Sequence, residues 1–139
     1  IESFTRCMGM TNHTLIYNGD IVSVERYRHL KELFPGVNNW MIGRGMITDP
    51  FLPKMIKNNS LEYPTNRIEI FKNFHDDLFH ELKKALSGDN HVIMKMKTYW
   101  EYWMLSLGEN KKGYKKIKKA KSIKDYYAAV NEIFSIKNL

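Results

Sequence analysis

One cysteine, Cys7, is all that the 139 residues contain, so no internal disulfide can close a loop in this chain. A lone thiol fits a reducing compartment, and a cytoplasmic location is the expectation. Long apolar stretches are missing too. Nothing approaches the roughly 20 residues that a membrane-spanning helix needs, and no signal-peptide pattern stands at the start, so a membrane is not expected as a partner. His75, His80 and His91 show no metal-ligand spacing with Cys7, so no metal is assigned. An initiator methionine is also lacking. The chain opens at Ile1 and is expected to be a piece of something longer.

What is present is ordinary in bulk and uneven in charge. Hydrophobic residues make up 43% and charged residues 27%, enough in 16.5 kDa for a compact domain with a core. The formal net charge is +7. Residues 1–58 hold seven Lys/Arg against five acids, whereas residues 109–139 hold nine lysines against three acids. Eight of those lysines, Lys111, Lys112, Lys115, Lys116, Lys118, Lys119, Lys121 and Lys124, fall within 14 residues. Such a concentration points to a polyanionic partner, although a solvated helix face carries the same signature.

Two stretches organise the first part of the chain. LIYNGDI (residues 15–21) and WMIGRGMITDP (residues 40–50) are short apolar runs that stop at glycine turns, with Asn18 and Gly43 lying 25 residues apart. His13 to Tyr17 reads as a buried strand. A helix follows from Ser23, a plausible N-cap, with Val24, Tyr27, Leu30, Leu33 and Phe34 at helical spacing, and Pro35-Gly36 ends it. Asn39 to Ile42 reads as a second strand and Gly43-Arg44-Gly45 as its turn. Asp49-Pro50 supplies an N-cap and an N1 proline for a short helix through Ile56. Strand, helix, strand, helix argues for parallel pairing.

Beyond Asn58 the pattern becomes helical throughout. Thr65 can cap a helix carrying Ile68, Phe71, His75, Leu78, Leu82 and Leu86 on one face. Asn90 can cap another with Val92, Met96, Tyr99, Trp100, Trp103 and Leu107 inward. A short basic segment with Tyr114 and Ile117 follows. Ser122 then opens a last helix with Tyr126, Val130, Ile133 and Phe134 inward. These read as a small helical bundle. The expected organisation is therefore α/β over residues 1–58, then an all-α domain over residues 59–139.

Glycine after a strand lets a ligand approach backbone N–H groups without meeting a Cβ, and helix N-termini add positive potential. Two such junctions side by side make an anion pocket, in which Arg44 could pair bidentately with a phosphate. In (β/α)8 barrels the loops after the last two strands commonly build such a site. Each turn taken alone is as readily a plain connection.

YNGDI and MIGRGMITDPFL resemble the last two strand-ends of the tRNA-dihydrouridine synthase family, and HVIMKMKTYWEYWM resembles the long helix of that family's C-terminal helical domain. The resemblance implies the βαβα end of a TIM barrel joined to a helical tRNA-binding domain. It implies FMN as cofactor, held by Asn18, Gly19, Asp20, Gly43 and Arg44, and NADPH as reductant. The implied activity is oxidoreductase: reduction of a tRNA uridine to 5,6-dihydrouridine. The family's catalytic cysteine lies in an Asn-Gly-Cys-Pro motif that does not occur here. No catalytic residue is therefore assigned, and the chain alone is expected to be inactive.

The lysine-rich tail then acquires a specific reading. Lys115, Lys116, Lys118 and Lys119 are candidate contacts to tRNA phosphates, with Lys95 and Lys97 on the long helix next in line. Trp100 and Trp103, at helical spacing, read as core. Two rivals remain at this point: another FMN barrel oxidoreductase acting on a small molecule, and a non-catalytic RNA-binding helical module. Two strands lacking their barrel would also leave edges open, so residues 1–58 are expected either to associate between chains or to stay loosely ordered.

Overall fold

Ser23 does what its position predicts: its hydroxyl accepts the Arg26 N–H at 3.1 Å and starts a helix at Val24. A computed structural model, describing residues 1–108 and 111–135, places that helix within the first of two compact units, Ile1–Glu62 and Tyr63–Leu139. The first unit runs α1 (Glu2–Met8), β1 (Ile16–Asn18), α2 (Val24–Leu33), β2 (Asn39–Met41), α3 (Arg44–Thr48) and α4 (Leu52–Asn58). The second runs α5 (Arg67–Ala85), α6 (Asp89–Trp103), α7 (Lys111–Lys119) and α8 (Ile123–Phe134).

Strands β1 and β2 pair in parallel, with Ile16 opposite Asn39, Tyr17 opposite Trp40 and Asn18 opposite Met41. Alternation puts Tyr17 and Trp40 on one face, their rings 5.4 Å apart. Phe34, Tyr27 and Phe4 close over that face at ring distances of 5.0–5.6 Å, and Leu30 is fully buried beside them. The other face is open. Ile16 is 53% exposed and Met41 51%.

This corrects the barrel expectation. The described residues are mostly helical, and their sheet has two strands of three residues each, so no TIM-barrel part is present. A barrel requires every strand to have two neighbours; here each strand has one. The α/β order followed by helices does persist. Local boundaries also shift. His13 to Leu15 stay outside β1, and Ile42 outside β2. Arg44 opens helix α3 where a turn was expected. The Asp49 carboxylate accepts the Phe51 N–H at 3.0 Å in a turn between α3 and α4, and the proline in the first turn of α4 is Pro53, not Pro50. Cys7 is exposed on α1.

Two connections fix the first unit. Arg28 on α2 donates from Nε to the Asn59 side chain and from Nη2 to the Asn59 carbonyl, both at 2.7 Å, tying α2 to the end of α4. Asn59 itself takes a left-handed conformation that closes α4. Gly45 is buried against the loop after β1. A Cβ placed there would lie 2.0 Å from the Ile21 carbonyl oxygen.

In the second unit, Ser122 caps α8 as predicted, accepting the Asp125 N–H at 3.1 Å. Helix α5 begins after Asn66 and α6 after Gly88, neither with a side-chain cap, so Thr65 and Asn90 do not serve. Phe71, His75 and Phe79 of α5 meet Trp100 and Trp103 of α6 and Tyr126 of α8. Ile68, Leu78, Leu82 and Leu86 are only half-buried. Inside this aromatic core, Trp100 Nε1 donates to the Tyr126 hydroxyl at 2.8 Å. The hydroxyl lies 2.7 Å from His75 Nε2, and His75 Nδ1 lies 2.9 Å from the Asp76 carboxylate. The Asp76 carboxylate can only accept, so His75 Nδ1 carries the ring proton, and in a neutral ring Nε2 is then the acceptor for the Tyr126 hydroxyl. The imidazole is neutral in this arrangement. Burial holds its pKa below the ordinary value near 6.5, against the opposing pull of Asp76 and with a small push from Lys72.

Two predictions follow from these packings. Gly45→Ala should destabilise the first unit by about 1–3 kcal/mol, because the Ile21 backbone must move, whereas Gly43→Ala, with open space around it, should stay within roughly 0.5 kcal/mol. Urea denaturation compares the two. The second concerns acid. An unfolded chain protonates His75 below pH ~6.5 while the folded chain resists, so stability present above that pH should be lost as pH falls toward the lowered folded value. His75→Gln should flatten that part of the profile between pH 7.5 and 5.5; an unchanged slope would assign the acid sensitivity to other groups.

Candidate anion and nucleic-acid sites

The register of β1 and β2 decides what their turns can do together. With Asn18 beside Met41, Gly19 and Asp20 emerge next to Ile42 and Gly43 at the carboxyl ends of both strands. That end of a parallel sheet is where ligands of α/β folds bind. The close approach of Gly45 to Ile21 holds the two turns together. Asp20 and Arg44 meet there in an ion pair, their side chains 65% and 71% exposed, and Arg26 Nε reaches the Asp20 carbonyl at 3.4 Å. Asn18 is exposed. Gly19 sits over Tyr17, whose hydroxyl would lie 2.6 Å from an added Cβ. Nothing lies within 4 Å of a Cβ placed on Gly43.

The five predicted cofactor residues thus share one corner of the molecule. Their chemistry fits the phosphate end of a nucleotide cofactor: an open backbone at Gly43 and one guanidinium beside it. The guanidinium is already neutralised by Asp20, so an anion must compete for it. Among the described residues, no group of His, Cys, Asp and Glu could hold a metal ion, and no helix is long and apolar enough to cross a membrane.

The predicted RNA contacts lie on α6 and α7. Helix α7 buries Gly113 and Ile117, with Ala120 just beyond its end, and packs chiefly against α8. At about 100° per residue, Lys115 and Lys118 fall opposite that buried stripe and Lys119 beside them. All three are exposed. Lys118 Nζ stands 4.7 Å from the Tyr114 ring centroid. Lys116 turns toward α8 and pairs with Glu132. On α6, Lys95 is exposed with Nζ 5.6 Å from the Tyr99 ring, whereas Lys97 points inward and donates to the Ala120 carbonyl at 2.7 Å. Trp100 and Trp103 are buried in the core.

No protein-family model matches the chain, and no curated protein matches it. The functional reading therefore rests on its residues and their placement. Three partnerships were invisible in the sequence: Asp20 with Arg44, Lys116 with Glu132, and Lys97 with Ala120. Each joins residues 16 to 24 apart, beyond any helical or strand periodicity.

If Arg44 is the contact for an anion, Asp20→Asn should strengthen binding of FMN or inorganic phosphate about two- to fivefold by removing an exposed competitor. Arg44→Ala should abolish that gain. Calorimetry with each anion reads both, and equal affinity in all three proteins would remove Arg44 from the site.

Proposed function

We propose that this chain is the RNA-binding portion of a flavin-dependent tRNA uridine reductase of the kind that the tRNA-dihydrouridine synthases represent. One observation carries the reading: α7 turns Lys115, Lys118 and Lys119 to solvent while its opposite side is fixed in the core. Ammonium groups on a fixed helix neutralise phosphates without reading base sequence, which suits a folded RNA recognised by shape. A stacked uridine would have to leave its helix to be reduced. FMN would supply the hydride chemistry, with NADPH as its reductant, and the protein would position it. Gly43 and Arg44, beside Asn18, Gly19 and Asp20, would hold the cofactor's phosphate. No Asn-Gly-Cys-Pro sequence occurs in these 139 residues, so the chain by itself should not reduce uridine.

The second reading is an RNA-binding module without catalysis. It is favoured by the Asp20–Arg44 pair, in which a carboxylate of the chain already occupies the guanidinium that a phosphate would need. The two readings share the lysine face and differ in flavin binding.

Replacing Lys115, Lys118 and Lys119 together by glutamine should weaken binding to a tRNA transcript. The slope of log affinity against log salt should fall by roughly 0.7–0.9 for each phosphate contact removed. A titration across salt concentrations checks this. Affinity and slope that both stay put would leave the face merely solvated.

A further inference from the structure

We propose that Lys97 is a positioning residue for the RNA-binding surface: it holds the basic helix α7 in place from within the helical unit and does not touch phosphate. This rests on the RNA-binding reading above and adds a division of labour among its lysines. Lys97 is half-buried on α6, and its ammonium donates to the carbonyl oxygen of Ala120 at 2.7 Å, 23 residues along the chain. Ala120 directly follows the last residue of α7 and is itself only 4% exposed. Its N–H still bonds back to the Lys116 and Ile117 carbonyls, at 3.0 and 3.2 Å, so the backbone there closes the helix.

Carbonyl groups at a helix end have no partner within the helix, and a buried one must find a donor elsewhere. An ammonium there also meets the negative end of the helix dipole. Helix α7 needs such help. Its nine residues are fewer than the roughly 12–15 at which an isolated helix becomes even marginal in water. Lys111 and Lys115, Lys112 and Lys116, and Lys115 and Lys119 are like charges four residues apart, each pair opposing the helix. Buried Ile117 anchors the middle, the Lys116–Glu132 pair joins it to α8, and Lys97 fastens its end to α6. Lys95, two residues before Lys97, is exposed, with its ammonium 5.6 Å from the Tyr99 ring centroid. The N–H spent on the Ala120 carbonyl is not available to a phosphate, and Lys97 is less exposed than Lys95.

The test uses the full chain and an unmodified tRNA transcript. In the wild-type protein, the Lys97 ammonium resonance should exchange slowly with water and stay unmoved when tRNA is added, while that of Lys115 shifts. Lys97→Met should speed hydrogen exchange of the α7 amides before any RNA is present. It should also lower tRNA affinity several-fold with the salt slope unchanged, and Lys97→Arg, which keeps charge and donors, should restore both. A slope reduced by about 0.7–0.9 with α7 exchange unaltered would make Lys97 a phosphate contact and overturn the proposal. A Lys97 resonance that shifts with tRNA would do the same, even if Lys97→Met fails to fold. Failure of the RNA-binding reading looks different: Lys115 would not shift and Lys115→Gln would bind tRNA as well as wild type, while α7 exchange still responded to Lys97→Met.

Discussion

The hydroxyl of Tyr126 accepts the Trp100 indole N–H and gives its own proton to His75, and the helical unit is arranged around satisfying both bonds. A buried donor or acceptor left alone costs about 1–3 kcal/mol, so the three side chains cannot drift independently. They come from three different helices, α6, α8 and α5. Rotating any one by a residue would leave at least two polar groups orphaned in an aromatic core. Hydrophobic burial among Phe71, Phe79, Trp103 and Ile133 favours compaction in many arrangements; the hydrogen-bonded chain selects one. The same burial pushes the Tyr126 phenol well above its ordinary pKa, so the proton on which the chain depends stays in place.

That selection reaches the surface through α8. Helix α7 packs chiefly on α8, and α8 is fixed by Tyr126, Val130 and Ile133 inside. The direction in which Lys115 and Lys118 point is therefore inherited from the core. A cluster of lysines on a loose segment would also attract a polyanion, at the entropic cost of ordering the segment on contact. On a helix held along its buried stripe, that cost falls on folding of the unit instead. The two acids among the described residues 111–135 are both engaged: Glu132 takes Lys116, and Asp125 is drawn into the Ser122 cap.

How much of this was legible in the sequence depends on the range of the interaction. Ser23 and Ser122 announce helix starts because a cap acts within three residues, and both caps form. Trp100, Trp103 and Tyr126 lie inward as their helical spacing predicts, because burial follows period. His75 shares that period, yet its role does not: nothing local pairs it with Tyr126, 51 residues away. Phe79 was missed beside Leu78 because α5 turns its buried stripe through Phe71, His75 and Phe79, at strict four-residue steps. The barrel was a fold inferred from motif likeness. Its strand ends are recognisable over a few residues, whereas closure of a sheet depends on partners that no short motif encodes. Asp20 and Arg44 show the limit most plainly, since both were assigned to one ligand and they bind each other.

The corner at the strand ends is best understood from what holds it shut. Gly45 lies so near the Ile21 carbonyl that α3 and the loop after β1 behave as one surface, and Asp20 and Arg44 stand on its two halves. Their attraction is weak at such exposure, because water screens it and two side chains must be ordered to make it. An arriving phosphate would offer Arg44 a doubly charged, bidentate alternative to a carboxylate. It would do so at the cost of bringing that charge close to Asp20. The balance between those terms sets whether the corner binds anions at all. It is adjusted by a single carboxylate, while the backbone that presents it is fixed by packing around a glycine.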